Sequence, residues 1–160
     1  MKRKPDFQIP GYLNRWHLIP RNKWFNIYLH QIIGPDPAPD WHDHPWWSMA
    51  IKLRGNYYEI DQASLGQNLL CSWRKRIVIR DPAALHRIYG VLLPGCWTLF
   101  ITGPVVRDWG FWVGGKWIKH TEYTNQSGAP VPKIKMSANT KAVMLAAHIV
   151  HAGRFTGGWK

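Results

Sequence analysis

At 160 residues the chain has the size of one domain and is long enough to bury a core without disulfides. Its formal charge of +12, from 21 Lys and Arg against 9 Asp and Glu, points to an anionic partner such as nucleic acid, nucleotides, sugar phosphates or acidic proteins. Cys71 and Cys96 stand far apart without CxxC spacing, which excludes a disulfide framework and a cysteine zinc site, and the longest apolar runs are too short to span a bilayer.

The basic start is followed by Pro5 and Asp6 rather than by an apolar stretch, so no signal peptide is expected and a reduced, cytoplasmic setting is. Stretches rich in β-branched and aromatic residues then recur at 24–33, 47–54, 75–80, 96–102 and 108–113, and each reads as a strand. Turn clusters separate them: Gly34-Pro35-Asp36-Pro37, Gly55-Asn56, Asp81-Pro82, Leu93-Pro94-Gly95 and Gly114-Gly115. That spacing leaves little room for helices and predicts an all-β barrel or sandwich. Ten of the 11 tryptophans fall before residue 120, so this part must pack or present a wide aromatic surface.

Beyond residue 123 the texture changes. Residues 124–137 have linker composition, and 138–160 form a basic tail in which Lys141, Ala142, Met144, Leu145, Ala146 and Ala147 predict a short C-terminal helix. Residues 121–160 carry 5 basic groups and 1 acidic one, against 16 and 8 in residues 1–120. His148 and His151 share a face of that helix but have no third ligand nearby. No P-loop, dinucleotide-binding, zincin or nucleophile-elbow signature occurs, nor the paired motifs of a zinc deaminase.

The chemistry-bearing segment is Asp40-Trp41-His42-Asp43-His44-Pro45-Trp46-Trp47-Ser48. On a strand, side chains at i and i+2 leave the same face, so His42 and His44 can reach one ion. Imidazole suits iron, manganese, nickel, copper and zinc, whereas calcium and magnesium prefer oxygen. From His44, three residues lead to Ser48 and six more to Gly55, a spacing that resembles the first cupin motif. Asp81-Pro82-Ala83-Ala84-Leu85-His86 resembles the second, in which a turn leads into a strand carrying a third histidine.

The match departs from the family in three places. Ser48 stands where the family's metal-binding glutamate is expected, Pro82 replaces part of the Pro-x-Gly turn, and the downstream asparagine is missing. Glu59, on the strand after Gly55-Asn56, is an alternative carboxylate. The stretch from Tyr12 to about Tyr123 also resembles uncharacterised cupin-like proteins of phages and prophages, through RWHLIPRNKWFNIYLH, HDHPWW, HRI and CWTLFITGPVVRDWGFW.

The resemblance implies a single cupin barrel over residues 1–123, with His42, His44 and His86 on one divalent ion, iron ahead of zinc, manganese or nickel. A non-haem oxygenase or a metal-dependent isomerase acting on a small anionic substrate is implied, with Trp46, Ser48, Tyr28, His30 and Arg107 as pocket contacts. The alternative is a non-catalytic phage-type effector that binds nucleic acid or protein through its basic surface. For the latter, the clusters Lys2-Arg3-Lys4 and Arg74-Lys75-Arg76 lie close to Phe7 and Trp73. Phage kinship would place the protein in a bacterial host cell, and cupin kinship would make it a homodimer.

Overall fold

The computed structural model of the protein describes residues 3–61 and 75–123. The linker and helix expected over 124–160, together with Cys71, Trp73 and Arg74, lie outside the described residues. The strands, in chain order, are β1 (Phe7–Ile9), β2 (Leu13–His17), β3 (Asn26–Ile32), β4 (Trp41–His42), β5 (Ser48–Arg54) and β6 (Tyr57–Asp61). They continue with β7 (Ile77–Arg80), β8 (His86–Val91), β9 (Cys96–Thr102), β10 (Gly110–Val113) and β11 (Lys116–Lys119), and a single helical turn, α1 (His120–Tyr123), follows.

All pairings are antiparallel and form two sheets, ordered β1-β2-β3-β9-β5-β7 and β11-β10-β4-β8-β6. From β3 to β10 each successive strand crosses to the opposite sheet, so the two sheets close over a shared interior. This is the expected all-β architecture, and α1 is distinct from the helix expected farther along the chain. Five strands fall within the stretches read from sequence. β1, β2 and β11 were not legible there, because they are short and hold too few apolar residues to show a period of two.

Cross-strand register sorts the inward side chains of the larger sheet into rows. Leu13 lies beside Ile32 and Cys96; Arg15 lies beside His30, Thr98 and Lys52. Next come His17, Tyr28, Phe100 and Ala50, then Asn26, Thr102, Ser48 and Arg80. The first row packs with Tyr57 and Ile88 of the facing sheet and closes one end of the barrel with an apolar plug. A second apolar cluster, Ala38, Phe111, Val113 and Tyr123, lies where α1 meets β10. Tyr123 stacks on Phe111 at 3.9 Å between ring centroids, and its hydroxyl donates to Asp40 at 2.7 Å. Above the plug the interior turns polar. His30, Ser48, Lys52, Glu59, His86, Thr98 and Thr102 are all buried there, and each polar group left unpartnered in such a lining costs stability.

Candidate metal centre

His42 ends β4, a strand of two residues held between β10 and β8, with Phe111 on one side and His86 directly opposite on the other. His44 lies just past the strand end, since Pro45 cannot continue a ladder. Its position is nevertheless set by backbone bonds: Asp43 N–H donates to the Gly110 carbonyl at 3.1 Å and His44 N–H to the Pro82 carbonyl at 3.0 Å. The three rings converge, with centroids 5.2 Å apart for His42 and His44, 4.6 Å for His42 and His86, and 4.9 Å for His44 and His86. One donor nitrogen from each lies within 4.8 Å of the others.

The tautomer of His86 is settled by its surroundings. Its Nδ1–H donates to the Ala84 carbonyl at 3.1 Å, which leaves the Nε2 lone pair facing the Nε2 of His44 at 3.3 Å. Tetrahedral bonds of roughly 2.05 Å set two nitrogen ligands about 3.3 Å apart, so this pair already has the spacing of neighbouring ligands. Burial pushes His44 and His86 well below the ordinary imidazole range, with the charge of His42 the next cause for each. Burial also lowers His42, against the opposing pull of Asp36. All three imidazoles are therefore held neutral, the form that ligates metal.

A carboxylate does reach the cluster, though from a different strand than the motif suggests. Ser48 is buried on β5, opposite Arg80 of β7. Arg80 in turn ion-pairs through Nη2 with the Oε2 of Glu59 on β6, whose Oε1 lies 3.8 Å from the Nε2 of His86. Asp36 approaches from the other side, 3.9 Å from the Nδ1 of His42, while accepting from the Ile88 N–H at 2.6 Å. The alternative carboxylate Glu59 is thus beside the triad. Arg80 was not among the sequence candidates, and only the pairing of β7 with β5 reveals where it points.

The expected pocket contacts separate into two groups. Trp46 stacks on His44, with centroids 5.9 Å apart and planes within 10°, and Tyr28 and Trp46 line one cavity of about 620 Å³. His30 lies beneath that cavity, stacked between Tyr28 and Phe100, and its Nε2 accepts from Arg15 Nε at 2.9 Å. Arg107 is elsewhere. Its guanidinium donates to buried Asp43 at 2.6 Å and sits near the Trp117 ring, outside the residues lining the cavity. Of the remaining histidines, His17 lines the cavity rim and His120 stacks on Trp109 at 4.6 Å.

No family model matches this chain, and no curated protein does. Solved structures do match. A provisionally assigned mannose-6-phosphate isomerase from Ralstonia eutropha JMP134 is 14% identical, with 62% of this chain and 91% of that one covered and a TM-score of 0.49. A cupin 2 domain-containing protein from Halorhodospira halophila is 13% identical, with 97% and 90% covered and a TM-score of 0.45. Likeness at this level concerns the backbone, and function has to be argued from the site. Among the described residues no helix is long and apolar enough to cross a membrane.

Proposed function

We propose that the chain is a metal-dependent enzyme in which His42, His44 and His86 hold one divalent ion, iron ahead of zinc, manganese and nickel. The reaction class is oxygen-dependent oxidation of a small anionic substrate, with metal-assisted isomerisation as the second candidate. One observation carries this reading: three imidazoles from two strands and a loop each bring a donor nitrogen within 4.8 Å of the others. Three neutral ligands leave the ion its full charge and open positions, and so supply Lewis acidity and a docking point for oxygen or a chelating substrate.

The chain's own residues prepare that point. The Ala84 carbonyl orients His86, and Asp43 ties the His42–His44 segment to β10 by accepting from Gly110 N–H at 2.7 Å. Glu59 brings one negative charge beside His86, and Arg80 fixes its orientation through Oε2. Trp46, Trp109 and Phe111 flank the histidine rings at 5.9, 6.3 and 5.9 Å and keep bulk water from that side.

The test is metal content. Protein purified without added metal, then reconstituted in turn with iron, manganese, nickel and zinc, should hold close to one ion per chain by elemental analysis. The His42→Ala/His86→Ala variant should hold none. If the unmutated protein retains no ion after all four reconstitutions, the proposal fails.

A further inference from the structure

Beside the histidine triad, the cavity of about 620 Å³ opens between β1–β3 and the segment after β9, within the size range of small-molecule sites. Its lining has a strong charge bias. Arg15, Arg21 and Lys23 face Asp6 as the one carboxylate. Asp6 is already neutralised, since it accepts from Arg3 Nη2 at 2.9 and 3.0 Å and from His17 N–H at 2.8 Å.

Arg15 is the deepest of the cations, placed by register in the row above the apolar plug. Among the described residues its one hydrogen-bonding side-chain partner is His30 Nε2, and to accept that bond the nitrogen must be unprotonated. Its other neighbours are the ring faces of Tyr28 at 4.7 Å and Phe7 at 5.4 Å. Two π faces and a neutral imidazole orient the guanidinium without cancelling its charge. Phe7, Trp24, Tyr28 and Trp46 supply flat apolar surface around these polar groups.

We propose that this cavity binds a small organic oxyanion with a flat body, its carboxylate or phosphate on Arg15, its ring against the aromatic wall of Trp24, Tyr28 and Trp46. Trp46 lines the cavity and stacks on His44, so the cavity borders the triad and serves as its substrate subsite. That role rests on the metal reading above, whereas anion binding by itself does not.

Titrating the full chain with benzoate, phenyl phosphate and neutral benzamide, followed by calorimetry and tryptophan fluorescence, tests it. At least one anion should bind saturably, with benzamide tenfold weaker or worse, and Arg15→Met should weaken the anion at least tenfold. Arg15→Lys, which keeps the charge but loses the fork, should fall between the two, and it decides the matter if the methionine variant is misfolded by circular dichroism. The stronger anion identifies the headgroup class. Equal binding of benzamide, no saturable anion binding, or full affinity in both variants overturns the proposal. Repeating the titration on His42→Ala/His86→Ala protein in chelator separates the two readings. Retained anion binding there supports the anion site whatever the metal assays show, and its loss overturns an independent anion site.

Discussion

Asp43 stands between the two histidines of the HxH pair, buried, with no oxygen left idle. Its Oδ1 accepts from Gly110 N–H, and its Oδ2 accepts from Arg107 at 2.6 Å and Trp117 Nε1 at 3.0 Å. Asp43→Ala strands the Gly110 donor and a partly buried guanidinium, and should cost about 3 kcal/mol in urea denaturation. Arg107→Ala, which removes the more exposed partner, should still cost about 2 kcal/mol because the buried carboxylate keeps only neutral donors. Lys52 gives a pH signature. Burial lowers its ammonium from 10.5 to about 8, against the opposing charges of Cys96 and Glu59. Between those values the unfolded chain holds a proton that the folded chain has released, so stability rises as pH climbs from about 8 toward 10.5. In parallel denaturations at about pH 7 and about pH 9.5, wild type should gain on Lys52→Met across this window. An unchanged difference would show that the ammonium is well solvated. The histidine pair was legible at this scale because i and i+2 need only local geometry. The destination of Arg107, 64 residues from Asp43 in the chain, was not.

The turn from β5 to β6 shows why a motif glycine stands where it does. Gly55 has φ +74°, and a Cβ there would lie 2.1 Å from the Gly95 carbonyl oxygen, a backbone atom that cannot swing aside. Gly55→Ala should therefore destabilise by more than about 3 kcal/mol, combining left-handed strain with overpacking. At Gly114, φ +57° with open space around it, alanine should cost only about 1–2 kcal/mol. Thermal unfolding of both variants checks the contrast, and equal losses would refute the packing argument. The turn matters for the site because it carries β6, and with it Glu59, across to the facing sheet. A bulge between β6 and β8, with Tyr89 as the extra residue, then sets Asp61 opposite His86 and Glu59 opposite Ile88. Strand existence was readable from β-branched runs. Neither the bulge nor the two-residue length of β4 was, since both follow from how neighbouring strands pair.

For the molecule as a whole, a metal site built from both β4 and β8 ties two chain segments 44 residues apart, from His42 to His86, and should show in global stability. An ion at about 100 times its Kd adds about 2.7 kcal/mol, or roughly a 10 °C rise in Tm for a domain this size. Chelator should reverse the rise, and the His42→Ala/His86→Ala variant should show none; a rise of the same size in that variant would place the stabilising ion elsewhere. The same whole-molecule view explains the basic charge in part, because Arg15, Lys52 and Arg80 all lie on the inward rows of the larger sheet rather than on a solvated face. By itself the sequence determined the all-β class, five strands and the three histidines, because period, turn chemistry and short spacings are local properties. Only the tertiary structure decided that the alternative carboxylate Glu59 lies beside the triad, that Arg80 holds it, and that Arg15 rather than Arg107 lines the cavity. Those placements depend on which strands become neighbours when two sheets close on each other, and strand order is set by the burial of the whole chain.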